Sequence, residues 1–255
     1  MAVFHIAGRE LRGIFNTAVG WLVLAGFLLI CGFFWASMVS FYVIQATDMV
    51  ANPYAGAQMS LNDHLLSPFF GNTTVVLLMV CPALSMRLFA EERKQGTLEL
   101  LLTSPVRTLE IVVGKYLGAM AFVAVMLLGT AYVPLCLYAW AEPDWAMLAG
   151  GYAVLFLVAG AVLAMGCLLS ALTSNQIVAL VLTFAGSLAL WVLSWAGGQG
   201  GETWMATFAE HVALVHHVEG LLKGAPMLSD FVYFAGFIFV FLFATHQQIE
   251  GYRWR

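Results

Sequence analysis

The sequence predicts an all-α membrane protein with six transmembrane helices and both termini in the cytoplasm. Two observations support this fold class. Hydrophobic residues make up 62% of the 255 positions and charged residues only 9%, whereas a soluble domain has about 25% charged residues. A chain this apolar needs lipid as its main solvent. The basic residues are also distributed unequally between the two predicted sides of the membrane.

Six apolar stretches are long enough for the roughly 20 residues that a crossing helix needs. The first, Ala18–Ile44, is too long for the apolar region of a cleaved signal peptide. The uncharged run from Trp145 to Gly201 holds two crossings, because the polar cluster Thr173–Gln176 divides it. The predicted spans are residues 18–44, 66–86, 116–140, 146–172, 177–196 and 228–245, within a single domain of residues 1–255.

The charge distribution predicts the orientation. With six spans, segments 1–17, 87–115, 173–176 and 246–255 lie on one side, and of the ten basic residues only Lys223 lies on the other. An excess of lysine and arginine marks the cytoplasmic side. The basic residues on that side are Arg9, Arg12, Arg87, Arg93, Lys94, Arg107, Lys115, Arg253 and Arg255.

Several function classes are disfavoured by what the sequence lacks. No ionisable residue lies deep in a predicted span, which disfavours an ion-coupled secondary transporter. There is no phosphate-binding G-x-x-x-x-G-K-[ST] loop and no H-E-x-x-H or G-x-S-x-G motif, so we expect a non-catalytic subunit. The net charge of -4 without a basic run disfavours nucleic acid. The glycines Gly114, Gly118, Gly160 and Gly166 indicate close helix packing.

The cytoplasmic segment between spans two and three carries the most information. Arg87–Gln95 reads as a charged helical continuation of span two that Gly96 ends. Thr97 can then cap a short helix in which Leu98, Leu101 and Leu102 form one stripe. Such a stripe fits either the lipid interface or a partner protein.

The residues EERKQGTLELLLTSP and the following GKYLGA resemble the signature of type-two ABC exporter permeases, closest to the gliding-motility-type branch. The resemblance implies a coupling helix at 91–104 that docks an ABC ATPase through Glu91, Glu92, Gly96, Thr97, Leu98, Glu99 and Leu102. It implies a second, smaller contact at Thr173, Ser174, Asn175 and Gln176. It further implies a second permease copy, as a homodimer or related heterodimer, and a possible periplasmic or membrane accessory subunit. ATP and magnesium would be bound by the partner ATPase, with no cofactor in this chain.

Two further segments are predicted to be amphipathic. In the N-terminal helix of segment 1–17, Phe4, Leu11, Ile14 and Phe15 can face the membrane while His5, Arg9, Glu10 and Arg12 face water or phosphates. The external segment 197–227 opens with a flexible GGQGG linker. It continues with a helix at about 202–222 whose apolar stripe includes Trp204, Phe208, Val212 and Val215. The spacing of His211 and His216 does not suit a metal site, so none is predicted.

The sequence and the resemblance together indicate a permease subunit in the bacterial inner membrane. Together with a second permease it would form a pathway that separate ATPases drive, exporting a lipid-like, lipoprotein or polymeric substrate. An alternative is an ATPase-driven scaffold or mechanotransmitter that acts on a periplasmic partner without transport. An integral-membrane enzyme is disfavoured, because the spans hold no polar catalytic cluster.

Overall fold

A computed structural model describes residues 2–51, 62–97, 106–138, 145–199, 213, 218 and 228–253. These residues are helical apart from short turns and contain no β-strand. We number the helices in chain order: α1 Ala2–Phe15, α2 Ala18–Ala51, α3 Ser67–Ser85, α4 Ala90–Gln95, α5 Thr108–Gly129, α6 Tyr132–Tyr138, α7 Trp145–Leu172, α8 Gln176–Gln199 and α9 Leu228–Arg253. A π-helical turn, Asn62–Leu66, leads into α3.

Six helices are long and apolar enough to cross a membrane, which confirms the predicted number of spans. They lie at Ala18–Asp48, His64–Gln95, Thr108–Gly129, Trp145–Leu172, Gln176–Leu193 and Ser229–Tyr252. Most residues of the second, third and fourth spans are buried against other parts of the chain, whereas few residues of the first, fifth and sixth spans are buried. The bundle therefore has a buried centre of three helices with three less buried helices around it.

A tight corner joins α1 to the first span. The Thr17 hydroxyl donates to the Ile14 carbonyl at 2.8 Å and accepts from the Gly20 amide at 3.4 Å. The indole N–H of Trp21 donates to the Phe15 carbonyl at 2.8 Å. These bonds satisfy backbone groups that the end of one helix and the start of the next leave without partners.

The second span is interrupted, which corrects the predicted continuous helix through Arg87–Gln95. The α3 helix ends at Ser85, a turn follows at residues 86–89, and α4 begins at Ala90. Within α3, Pro82 has no amide hydrogen to donate to the carbonyl four residues earlier. The freed carbonyl, of Leu78, lies 3.4 Å from the Ser187 hydroxyl of α8, which shares its single hydrogen between this carbonyl and that of Phe184 at 2.9 Å.

The third span also differs from its prediction. Residues 116–140 were predicted as one helix, but α5 begins earlier, at Thr108, and ends at Gly129, and a separate helix α6 starts at Tyr132. Its early start is favoured by the Glu110 carboxylate, which accepts from the Arg107 amide at 3.2 Å. Near the break, Pro134 cannot bond to the Thr130 carbonyl, which accepts from the Tyr152 hydroxyl at 3.0 Å.

The apolar side of α1 faces the protein rather than lipid. The side chains of Leu11, Ile14 and Phe15 pack against the buried core, and the Phe15 ring lies 5.2 Å from that of Phe122 in α5. The prediction that these three residues face the membrane was therefore wrong, while Phe4 is exposed. Helix α5 offers a complementary apolar surface, so α1 buries its stripe there.

At the other end of the bundle, the predicted linker at residues 197–201 is helical at its start. Helix α8 continues through Gln199 instead of ending at residue 196. The predicted external helix, with Trp204, Phe208, Val212 and Val215, lies outside the described residues.

Candidate functional site

Three of the segments predicted to be cytoplasmic meet at one end of the bundle, around α4. Helix α1 lies along the start of α5, and α4 lies beside the end of α7 and the end of α9. The charged side chains Glu10, Glu92, Arg93 and Lys115 join these helices, and we call these four residues the charged junction. The four residues come from three separate parts of the sequence, α1, α4 and α5, so the junction is a product of the fold.

The turn between α3 and α4 is held by one hydroxyl from the fourth span. Ser170 is fully buried in α7. Its oxygen accepts from the amides of Phe89 at 3.1 Å and Ala90 at 3.0 Å, and its hydroxyl donates to the Met86 carbonyl at 3.1 Å. A buried backbone group without a partner is costly, so this contact lets the second span bend without leaving three such groups unsatisfied.

At the centre of the charged junction is Lys115, whose side chain is only 2% exposed. Its ammonium nitrogen lies 2.7 Å from Oε1 of Glu10 in α1 and 2.8 Å from Oε1 of Glu92 in α4. The same nitrogen lies 5.4 Å from the centre of the Phe89 ring. Two carboxylates and an aromatic face compensate the buried charge and tie three helices together.

Close approach of α1 to α5 depends on two glycines. A β-carbon at Gly118 would lie 2.7 Å from the β-carbon of Glu10, and one at Gly114 would lie 2.8 Å from that of Ile6. Both distances are shorter than real contacts allow, so only glycine fits without a shift of α1. The prediction of close helix packing at Gly114 and Gly118 is confirmed, and the helix that approaches is the N-terminal one.

Arg93 connects α4 to the fourth and sixth spans. Its guanidinium donates to the Ala171 carbonyl at 2.7 Å, and its central carbon lies 4.6 Å from the centre of the Tyr252 ring. Arginine suits this position because a planar guanidinium can donate in its plane while its face lies on an aromatic ring. Helix α4 is thus linked to α1, α5, α7 and α9.

The C-terminal end of α4 matches the predicted break. Gly96 adopts a φ of 70°, in the left-handed region that glycine favours, and its amide donates to the Arg93 carbonyl at 3.3 Å. Glu91 pairs with Arg87 at 3.2 Å, and the Thr97 hydroxyl donates to the Glu92 carbonyl at 3.4 Å. Leu98, Glu99 and Leu102, the remaining residues of the predicted docking surface, lie outside the described residues.

The predicted second contact forms the turn between the fourth and fifth spans. The Asn175 side chain accepts from the Ile177 amide at 3.0 Å and so caps α8, while the Thr173 hydroxyl accepts from the Asn175 amide at 3.1 Å. Ser174 and Asn175 are exposed and Gln176 is half-buried. This turn begins two residues after Ala171, so it lies close to Arg93 and α4.

Sequence reasoning placed Glu91 and Glu92 on a common surface, but the structure separates their roles. Glu91 is paired with Arg87 in the turn that precedes α4, whereas Glu92 points inward to Lys115 with only 20% of its side chain exposed. Glu10 is also turned inward, so the prediction that it faces water was wrong. Lys115 and Ser170 were missed as site residues.

One signal in the sequence could have located Lys115. Once Thr108 and Glu110 are read as the start of a helix, Lys115 falls two turns inside it. The next lysine or arginine along the chain is Lys223. A lone lysine within a membrane helix needs a carboxylate partner. The partners themselves are 105 and 23 positions away along the chain, so the sequence alone does not identify them.

The six spans and the charged junction define a polytopic α-helical membrane protein whose ionic groups connect helices at one end. Residues 4–245 match the family described as ABC-2 family transporter protein, and the chain therefore belongs to that family. No curated protein matches the sequence significantly. The chain is a permease subunit of an ABC transporter, a class of generally non-catalytic membrane subunits that work with an ATPase partner and as membrane dimers.

Proposed function

We propose that this permease pairs with a second permease to form an export pathway, driven by separate ATPase subunits that bind ATP and magnesium. The ATPase docks on the coupling segment 91–104, through exposed Gly96 and Thr97 and the residues Leu98, Glu99 and Leu102. Exposed Ser174 and Asn175 give a second contact beside it. Membership of the ABC-2 family supports an ATPase partner in general.

The observation that carries the coupling role is the linkage of α4 to four other helices. Lys115 ties α4 to α1 and α5, and Arg93 ties it to α7 and α9. Residues 91–95 of α4 are the first part of the proposed coupling segment 91–104, so a displacement of that segment acts on α4 directly. Because the contacts are short and largely buried, α4 cannot move independently of the helices it holds.

The second permease is proposed to bind against spans one, two and five. The first and fifth spans expose large apolar side chains over most of their length, among them Leu22, Leu29, Phe33, Val181 and Leu182. In lipid such exposure is not unfavourable by itself, so association depends on van der Waals packing between the helices. Two conformations with different packing at this interface would open and close the pathway.

The proposed cargo is lipid-like, a lipoprotein or a polymer, because the buried charged side chains among the described residues, Lys115 and Asp230, lie within the first eight residues of their spans and not at the centre of the membrane. The proposed location is the bacterial inner membrane, with α1 and the charged junction on the cytoplasmic side. The resemblance to the gliding-motility-type branch supports an additional accessory subunit.

Purification from the native membrane tests this proposal. The tagged chain is extracted in nanodiscs, the co-purifying proteins are identified, and ATPase activity is measured. We expect a soluble ATPase with a phosphate-binding loop to co-purify, and the double variant Glu99→Arg/Leu102→Asp to abolish its association. The matched control is Asp48→Arg, a charge reversal at an exposed residue near the other end of the first span, which should leave association unchanged.

Two results would count against the proposal. If no ATPase accompanies the chain, or if the double variant retains it fully, the docking assignment is wrong. If the ATPase binds as expected but a stable periplasmic partner co-purifies and reconstituted vesicles export no lipid or lipoprotein, the mechanotransmitter alternative replaces export.

A further inference from the structure

A partly open cavity of about 270 Å³ lies beside the charged junction. Its walls are the end of α1, the start of the first span, and the region where the second span turns into α4. One wall is apolar, with Ile14, Val19, Val23 and Leu84, and the charged residues Glu10, Arg87 and Glu91 line the remainder. The cavity therefore combines an apolar surface with side chains of both charges.

The cavity is placed where a membrane lipid presents its headgroup. It adjoins the corner between α1 and α2, where the first span begins at Ala18. Trp21 on the same corner is 58% exposed and donates its indole N–H to the Phe15 carbonyl. An exposed tryptophan at a span end is typical of the interface between lipid tails and headgroups.

The charged groups leave binding capacity for both ends of a zwitterion. Arg87 uses one of its five N–H donors, from Nε to Glu91 at 3.2 Å, and no other partner occurs among the described residues. Its remaining donors suit a phosphate, which guanidinium binds in bidentate form. Glu10 uses one oxygen on Lys115 at 2.7 Å, so its second oxygen can accept from an ammonium group. Glu91 accepts from Arg87 on Oε2 and from the Gln95 amide at 3.4 Å on Oε1, and each of these oxygens keeps a further lone pair for an ammonium group.

We propose that this cavity binds the headgroup of an aminophospholipid from the adjacent leaflet. Its phosphate lies on Arg87, its primary ammonium lies between Glu91 and Glu10, and its acyl chains leave along the exposed side of Val19. The volume is at the small end for ligand pockets, which suits a headgroup and not a whole lipid. A choline headgroup has no N–H donors, and an anionic glycerol headgroup has no cation for the carboxylates. This binding requires no ATPase, so it goes beyond the proposed export function.

Native mass spectrometry of the purified full chain tests the site. The chain is equilibrated in mixed micelles with equal amounts of phosphatidylethanolamine, phosphatidylcholine and phosphatidylglycerol that carry identical acyl chains. We expect bound phosphatidylethanolamine to exceed each of the others by about tenfold, because loss of a charged hydrogen bond typically weakens binding by at least that factor.

Two variants report on the cavity in different ways. Arg87→Gln removes the phosphate contact, and Gly13→Leu fills the cavity, because a β-carbon at Gly13 meets nothing within 4 Å and the residue lines the cavity. Arg87→Gln should lower the retention of all three lipids, because each of them carries the phosphate, whereas Gly13→Leu should abolish the tenfold preference. Gly8→Leu is the matched control: it lies on the same helix, also meets nothing within 4 Å, and does not line the cavity. It should keep the wild-type preference.

Equal retention of the three lipids by the wild type would overturn the proposal, as would a preference for phosphatidylglycerol. So would an undiminished preference in Gly13→Leu, which tests the cavity even if Arg87→Gln folds poorly. Displacement of the lipid by an equal concentration of soluble phosphoethanolamine would show that the site binds the free compound and not a membrane lipid, which would also overturn the proposal. Association with the ATPase is measured on the same samples. If the wild type binds the ATPase but shows no lipid preference, the lipid site is rejected while the proposed export function stands.

Discussion

Replacing Lys115 with methionine tests whether the charged junction holds three helices together. The substitution keeps the approximate length of the side chain but leaves Glu10 and Glu92 facing one another, each with 20% of its side chain exposed. Their Oε1 atoms lie within about 5.5 Å of each other, since they lie 2.7 and 2.8 Å from the same nitrogen. At an effective dielectric constant of about 20, two negative charges at that separation repel by about 3 kcal/mol.

This value agrees with the loss of about 3–5 kcal/mol that follows when one partner of a buried ion pair is removed. For a chain of this length it corresponds to a fall in the melting temperature of roughly 10 °C. Thermal unfolding in nanodiscs, followed by tryptophan fluorescence, measures the change. Lys94→Met is the matched control, because Lys94 is an exposed lysine of α4 and its loss should change the melting temperature little.

Further variants test whether repulsion between Glu10 and Glu92 causes the loss of stability in Lys115→Met. In the triple variant Lys115→Met/Glu10→Gln/Glu92→Gln no charge remains unpaired, so most of the lost stability should return. Glu10→Gln alone should cost about 1 kcal/mol, because Glu92 still pairs with Lys115 and the amide oxygen can still accept. An unchanged melting temperature in Lys115→Met, or a triple variant as unstable as the single one, would refute the electrostatic account.

Three other substitutions test the remaining contacts in the same unfolding assay. Ser170→Ala leaves the buried Phe89 and Ala90 amides without their acceptor and should lower the free energy of unfolding by about 2–4 kcal/mol. Ser174→Ala, at an exposed position, should change it very little. Equal effects of the two substitutions would contradict the role of Ser170 in holding the turn between α3 and α4. Arg93→Lys can keep the bond to Ala171 or the contact with Tyr252 but not both, so it should lower the free energy of unfolding by about 1 kcal/mol. A double-mutant cycle with Tyr252→Leu should give a coupling energy of about 0.5–1 kcal/mol. A coupling energy of zero would rule out the cation–π contact. Gly118→Ala forces a β-carbon against α1 and should destabilise the chain. Gly71→Ala, where a β-carbon meets nothing within 4 Å, should stabilise it by up to about 1 kcal/mol. If both substitutions changed the stability in the same direction, the close approach of α1 would be contradicted.

The sequence was sufficient to predict the number of spans because lipid imposes a length and composition on each crossing helix. The sequence did not predict the residues at which a helix ends where the backbone bends. The breaks after Ser85 and Gly129 lie near Pro82 and Pro134. A proline removes one hydrogen bond and crowds the carbonyl four residues earlier, but α3 continues past Pro82 to Ser85, so the proline alone does not fix the end of the helix. Whether the helix continues depends on hydroxyls from other helices that satisfy the freed groups, and that information is tertiary.

The same limit explains why the environment of α1 was predicted wrongly. Amphipathic periodicity shows that one face of a helix is apolar, but it does not distinguish lipid from a neighbouring helix as the partner. The deciding feature is the pair Gly114 and Gly118, four positions apart on α5, which gives α1 a surface without side chains to pack on. The sequence indicated close packing there without indicating which helix approaches.

The basic residues that predict the orientation serve two different purposes in the folded chain. Arg87, Arg93 and Lys115 are engaged in internal contacts, with Glu91, with Ala171 and Tyr252, and with Glu10 and Glu92. The exposed basic side chains among the described residues are Arg9, Arg12, Lys94 and Arg107. These four can meet lipid phosphates or a partner surface with the whole side chain, whereas Arg87 has only the N–H donors that its contact with Glu91 leaves unused. A count of positive charges therefore predicts the orientation, whereas the pairing of each charge decides how much of its capacity for contacts holds the bundle and how much remains available for binding.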